Sequence, residues 1–383
     1  MKYLILRCED DAKIGKETAS LLKGAKTAYL HQIAQSGAAG LIKKRGLRQA
    51  IDPLAVHRGL LGFNSNESEL PGGSCYAASV NVHPAGEETV WCCDFVTAQD
   101  GVIVDTTAGQ ISTKESAVLL QALGAELGSD SRRWEVGFGS RHLFVTRDEA
   151  LRAGRATSMP AADVLLGQPW KKHVQQDSLG DALQLLMDQA AAVLEGHPVN
   201  RVRVDLGENP ANRIWLWGGA SSGHPETTFT QRTGLEGALV GSYFPLRGMA
   251  KSLQVEWKQG PASFEEPALQ QLAGELNEMA KRYDLIYATF RVTSSDPVDR
   301  LCAMERIDQV VLKPLAEGFN RLGPWRQLTV VDDKADGSMP FIASGHGLPA
   351  HSVSTLHGDG IMESDLLFED SAALFSWFTQ NPA

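Results

Sequence analysis

Short apolar runs alternate with stretches of helical periodicity at both ends of this chain, and few folds accept that order. Residues 2–8, 238–244, 284–290, 327–331 and 339–343 are apolar runs of strand length. Residues 16–36, 265–281, 297–322 and 371–379 instead carry apolar positions three and four apart, the spacing of a helix face. Strands that alternate with helices build a mainly parallel sheet sheathed on both sides. The middle of the chain reads differently. Residues 90–97 and 102–105 form a strand pair around Gln99-Asp100-Gly101, and 134–147 form a second around Gly137-Phe138-Gly139. Helices follow at 113–128, capped by Ser112 or Thr113, and at 179–194, ended by Gly196-His197-Pro198. Residues 38–70 read as irregular, and 74–82 as a short helix or strand. The expectation is an α/β fold with a doubly wound core at 1–83 and 219–383, interrupted by an α+β insertion at 84–218.

The length of 383 residues suits two such domains, and 43% hydrophobic residues supply a core. A net charge of −10 argues against a nucleic acid or an anionic membrane as the main partner. The densest basic run, Lys43-Lys44-Arg45 with Arg48, reads as a solvated loop or a local anion site. The start, MKYLILRCEDD, reads as a buried strand rather than a signal peptide. No run approaches the roughly 18 apolar residues of a membrane span. Five cysteines, odd in number and irregular in spacing, predict neither disulfides nor a zinc framework, and so a cytoplasmic protein.

The most specific segment is NPANRIWLWGG, 209–219, preceded by HPVNRVR, 197–203. Together with SRHLFV at 140–145, GLIK at 40–43, LLGF at 60–63 and DGVIVDTTAGQIST at 100–113, it resembles the archaeal-type cofactor-independent phosphoglycerate mutases of the alkaline phosphatase superfamily. YDLIYATF, AMERID and MPFIA resemble C-terminal landmarks of the same family. The resemblance implies an alkaline-phosphatase-like core with an inserted substrate domain. It also implies two divalent metals that activate a serine to take up the phosphoryl group.

Several positions depart from that pattern. Pro53 stands where the resemblance places the nucleophilic serine, and 43–63 contains no Ser or Thr. Asp52 beside it is an acyl-phosphate candidate or part of an Asp-Pro turn. No His occurs between His224 and His346, where the resemblance places metal ligands, and Gln110 stands where a His would follow Ala108-Gly109. Glu9, Asp10, Asp332 and Asp333 remain as metal candidates near strand ends that should be neighbours. They hold one Mg²⁺ or Mn²⁺ through water, or they are solvated loop acids. His346, His351 and His357 are further ligand candidates or part of a Gly-rich surface segment. In the insertion, Arg141, His142, His197, Asn200, Arg203, Asn209, Asn212 and Arg213 read as an anion pocket. Their structural reading is caps and turns, with Trp215 and Trp217 in the domain interface. The leading expectation is a phosphoglycerate-mutase-like pseudoenzyme, without a cofactor, that binds a phosphorylated or carboxylated small molecule or a protein partner. The alternatives are a phosphoryl-transfer enzyme rebuilt around one metal, and an ordinary mutase.

Overall fold

The structure, a computed structural model, describes residues 1–10, 24–43, 54–63, 70–153, 159–221, 227–292, 294, 296–332, 339–351, 361 and 364–380. It divides into two compact units, one of 1–45, 55–66 and 227–383, the other of 46–54 and 67–226. The second is inserted into the first, as expected of a doubly wound α/β core with an α+β insertion. In chain order the first unit begins with β1 (Lys2–Asp10), α1 (Ala28–Ser36), β2 (Ala38–Ile42) and α2 (Ala55–Gly59). The second contains α3 (Gly72–Ser79), β3 (Thr89–Gln99), β4 (Val102–Asp105), α4 (Thr113–Leu127), β5 (Arg132–Phe138) and β6 (Arg141–Thr146). It closes with α5 (Ser178–Glu195), α6 (Pro198–Asp205) and β7 (Arg213–Ser221). The first unit resumes with α7 (Phe229–Thr233), β8 (Gly237–Gly241), α8 (Phe244–Leu253), β9 (Glu256–Gln259), α9 (Glu266–Ala280) and β10 (Leu285–Val292). Then come α10 (Pro297–Arg306), a π-helical turn (Ile307–Leu312), α11 (Lys313–Phe319), β11 (Trp325–Val331), β12 (Met339–Gly345), β13 (Leu367–Phe368) and α12 (Ser371–Thr379).

Among the described residues the first unit holds an eight-stranded sheet in the order β13-β2-β12-β11-β1-β10-β8-β9. From β11 to β9 all pairings are parallel, and β12 is antiparallel to both its neighbours. Side chains alternate across the sheet. Leu4, Leu6 and Cys8 of β1 join Ile286, Ala288 and Phe290 of β10 in a core completed by α1, α9, α10 and α11. Tyr3, Ile5, Arg7 and Glu9 therefore face the other side, where Tyr3 meets Phe378 of α12 edge-on.

Residues 38–70, read as irregular, contain β2 and α2. Ala38–Ile42 is buried throughout, so it shows no alternation to read. Its small residues have a steric cause, because a Cβ on Gly40 would run into the backbone of Leu366. The long helix expected at 297–322 spans 297–319 with a π-helical turn inside it. That turn ends just before Pro314, whose ring would clash with the carbonyl four residues back in a regular helix. The turn also carries Asp308, fully buried, whose two carboxylate oxygens accept from the backbone N–H groups of Tyr29 and Leu30 at 2.9 Å. Helix α1 is thus capped by a distant side chain, which local sequence cannot reveal. The helix expected from residue 16 begins at Ala28, and 11–23 lie outside the described residues.

In the second unit β3 is the central strand, flanked by β6 and β7 and joined by a hairpin to β4. The turn at Asp100 and Gly101 has φ of 49° and 78°, the mirror-image geometry that suits hairpin twist. Ser112, rather than Thr113, caps α4 in a reciprocal pair with Glu115. The unit takes in α3 because Gly72 lies against the Trp217 ring and Gly73 against the backbone of Val90 and Gly218. Trp215 and Trp217 belong to strand β7 and are buried inside this unit.

Replacing Asp308 with Ala leaves two helix-terminal N–H groups without their charged acceptor. The expected loss is about 2–3 kcal/mol of stability, read as a lower urea midpoint; an unchanged midpoint contradicts the capping role.

Candidate functional site

A parallel strand buried on both faces has little tolerance for charge, yet β1 carries Arg7 and Glu9, 6% and 8% exposed. Register sets their surroundings. Arg7 pairs with Thr289 and Glu9 with Arg291 on β10, while β11 runs parallel on the other side and ends at Val331. The backbone N–H of Asp332 donates to the Cys8 carbonyl at 2.9 Å, which fixes Asp332 at the same edge. Three adjacent strands so bring their carboxyl ends together, the usual place for a ligand in such sheets. Helix α2 lies over that face and supplies His57 and Arg58, both buried.

The Arg7 guanidinium is the centre of this cluster. Its Nε and Nη2 donate to the two oxygens of Asp332 at 3.2 and 2.8 Å, a bidentate pair. Its Nη1 lies 2.9 Å from His57 Nε2. Arginine cannot accept, so His57 Nε2 presents a lone pair and Nδ1 carries the proton. Nδ1 then donates to the Tyr287 hydroxyl oxygen at 2.6 Å. Burial, reinforced by Arg7, Arg291 and Arg58, holds the His57 pKa well below the usual imidazole range. Burial opposes the charge on Arg7, but Asp332 and Glu9 more than offset it. Glu9 Oε1 lies 3.7 Å from His57 Nε2. Arg291 stacks over Tyr243, and Tyr243 over His57.

Of the metal candidates, Asp332 is already neutralised by Arg7 and Glu9 stands beside the same guanidinium. Among the described residues no group of three or more His, Cys, Asp or Glu is spaced to hold a metal. The described residues do not by themselves make up the two-metal centre that the resemblance implies. The Asp10 side chain, Asp52, Pro53, Asp333 and His357 lie outside the described residues. His346 and His351 are exposed, with their backbone groups bonded to Trp325 and Arg326 and to Gly37 and Ala39 respectively.

The candidate pocket residues of the second unit hold their own scaffold. Arg203, 3% exposed, directs its guanidinium N–H groups to the carbonyls of Asn209, Ala108 and Gly109 and to Glu115 and Glu208. Four hydrogen bonds and a further ion pair, all within the protein, thus engage the guanidinium. They grip a strained turn: Ala108, Gly109 and Gln110 have φ of 48°, 65° and 55°. Asp105 grips the same turn through Thr107 and Gly109 N–H and accepts from Asn209. Asn200 bridges Leu194 and Ala211, Asn212 pairs with both backbone groups of Ala98, and His197 caps α6. Arg141 pairs bidentately with buried Asp94, which also accepts from Trp217 Nε1, and Arg213 pairs with Asp188 over the Trp170 ring. His142 is fully buried, and its Nδ1 accepts from Gly137 N–H at 3.0 Å. The structure does not gather these eight side chains into one anion site.

Sequence reading passed over Arg7, His57, Tyr287 and Arg291. One signal was available: a lone Arg inside the apolar run YLILRC demands a buried partner. His57 gave none, because its role depends on α2 lying over β1.

A family model described as 2,3-bisphosphoglycerate-independent phosphoglycerate mutase matches residues 34–200. A protein of that name from Methanosarcina barkeri is 29% identical over 330 residues, 82% of this chain and 81% of that protein. A probable 2,3-bisphosphoglycerate-independent phosphoglycerate mutase from Geobacter sulfurreducens is 26% identical over 403 residues, 98% of each. Among solved structures, a cofactor-independent phosphoglycerate mutase from Thermoplasma acidophilum aligns over 99% of both chains with a TM-score of 0.58 at 20% identity. A Pyrococcus horikoshii protein aligns over 100% of this chain and 99% of that one with a TM-score of 0.65 at 16% identity. At such identities these structures speak for the fold.

Arg203→Ala leaves three carbonyls and two acids without their donor. The expected loss is about 3 kcal/mol of stability in urea; wild-type stability would return Arg203 to the list of ligand-binding candidates. Burial lowers the pKa of His142 to about 4. The unfolded chain binds that proton near pH 6.5, so this contribution to stability is full above pH 6.5 and lost as pH falls toward 4. Thermal unfolding across pH 7 to 5 should show a slope that His142→Leu reduces; an equal slope in both proteins would contradict it.

Proposed function

From the premise that this chain is a relative of the 2,3-bisphosphoglycerate-independent phosphoglycerate mutases, we propose that it is a phosphoglycerate-mutase-like protein that binds or regulates rather than turns over substrate. One observation carries the reading. Asp332, the acid that the resemblance assigns to a metal, is held by both oxygens on the Arg7 guanidinium at the carboxyl edge of the sheet. A two-metal phosphoryl transfer needs free carboxylates and imidazoles in number, and this pair removes one of them. The ligand class that fits the resemblance is a small phosphorylated or carboxylated molecule, with a protein partner as the other route to regulation.

A second reading, an active mutase or a phosphoryl-transfer enzyme rebuilt around one metal, draws support from the match along 98% of a relative named as a probable mutase. The two readings separate in one experiment. The purified full chain is assayed for interconversion of 3- and 2-phosphoglycerate with Mn²⁺, with Mg²⁺ and with EDTA. The proposal expects no turnover above the buffer rate under any condition. Metal-dependent turnover that Asp332→Asn abolishes would establish the second reading instead.

A further inference from the structure

The atoms around the Arg7 guanidinium are the kind that bind a hard divalent cation. Asp332 offers two carboxylate oxygens at 3.2 and 2.8 Å. His57 Nε2, at 2.9 Å, offers the lone pair of a neutral imidazole, which is the form that ligates metals. Glu9 stands 3.7 Å from that same nitrogen, on the same face of β1 as Arg7. The Tyr287 hydroxyl fixes the imidazole from behind through Nδ1 at 2.6 Å, as an outer partner orients a metal-bound histidine. One carboxylate and one oriented imidazole thus converge on a side chain of the protein, Arg7, with the Glu9 carboxylate close beside the imidazole.

We infer that Arg7 is the resident cation of this site, a covalently attached substitute for a divalent metal. The inference rests on the metal-free reading above and deepens it, because it says what replaced the metal. A guanidinium is flat and wide, so its partners stand farther apart than the roughly 2.0–2.2 Å metal–ligand bonds require. This accounts for the lack of metal-like spacing among the described residues. It also separates this site from a merely degraded one. A degraded site leaves its groups scattered, whereas here Asp332 and His57 are both held on one positive charge, with Glu9 beside the imidazole.

The test is Mn²⁺ binding by the full chain, followed by electron paramagnetic resonance of free Mn²⁺ and by calorimetry. The variants are Arg7→Ala, Arg7→Met and Arg7→Ala with Asp332→Asn. Arg7→Ala should bind one Mn²⁺ per chain at least 100-fold more tightly than wild type. The added Asp332→Asn should abolish that gain, and Arg7→Met, which fills the space without charge, should show none. Arg7→Ala leaves acids uncompensated, so folding is followed by circular dichroism with and without Mn²⁺. An Arg7→Ala chain that is unfolded alone and regains the wild-type spectrum with Mn²⁺ supports the inference equally. An Arg7→Ala chain that takes up no Mn²⁺, whether folded or still unfolded at millimolar metal, overturns it and leaves the non-catalytic reading standing. Wild type that binds Mn²⁺ as tightly as Arg7→Ala also overturns it. Metal-dependent turnover by wild type, in contrast, overturns the reading beneath it.

Discussion

A positive charge buried in the middle strand of a parallel sheet is the constraint that organises the first unit. Arg7 can neither lose its proton nor reach water, and an unpaired charge at that depth would cost several kcal/mol. Its partners must therefore be brought to it. Asp332 is delivered by the parallel register of β11 and by its own backbone bond to Cys8. His57 is delivered by α2, which can lie over the sheet because Gly59 has no side chain to meet Ser371 of α12. The same geometry settles the tautomer of His57 and keeps it neutral. One guanidinium thereby couples the end of a strand, a short helix and an imidazole into a single electrostatic unit.

The second unit applies the same rule at two other places. Arg141 neutralises Asp94 between β3 and β6, and Arg203 joins α4, α6 and the turn after β4. That turn holds two non-glycine residues in the left-handed region, each of which costs roughly 1–3 kcal/mol of strain. Asp105 from one side and Arg203 from the other hold it in place. Charged side chains that invite a ligand-binding reading are here the clamps of a strained loop.

Much of the architecture was legible. Alternating strands and helices gave the α/β core, and the hairpin chemistry of Asp100-Gly101 and the cap at Ser112 gave parts of the insertion. Strand β2 escaped because it is buried on both faces and so has no period. Strand β7 escaped because its tryptophans looked like motif residues, whereas they fill the sheet against α3 and the segment around Pro160. The candidate site was half legible: Glu9 and Asp332 were picked out as acids at neighbouring strand ends, and the cation between them was missed.

What the sequence determined by itself is whatever depends on residues near one another along the chain: periodicity, turns, caps and the family motifs. It also determined the kinship, since motif spacing survives in the letters alone. Tertiary structure alone decided which charges meet. Arg7 and Asp332 are 325 residues apart, and His57 is 50 from Arg7. Their pairing follows from strand order and register, which bring distant segments within hydrogen-bond reach, and hydrogen bonds and desolvated charges act over only a few ångströms.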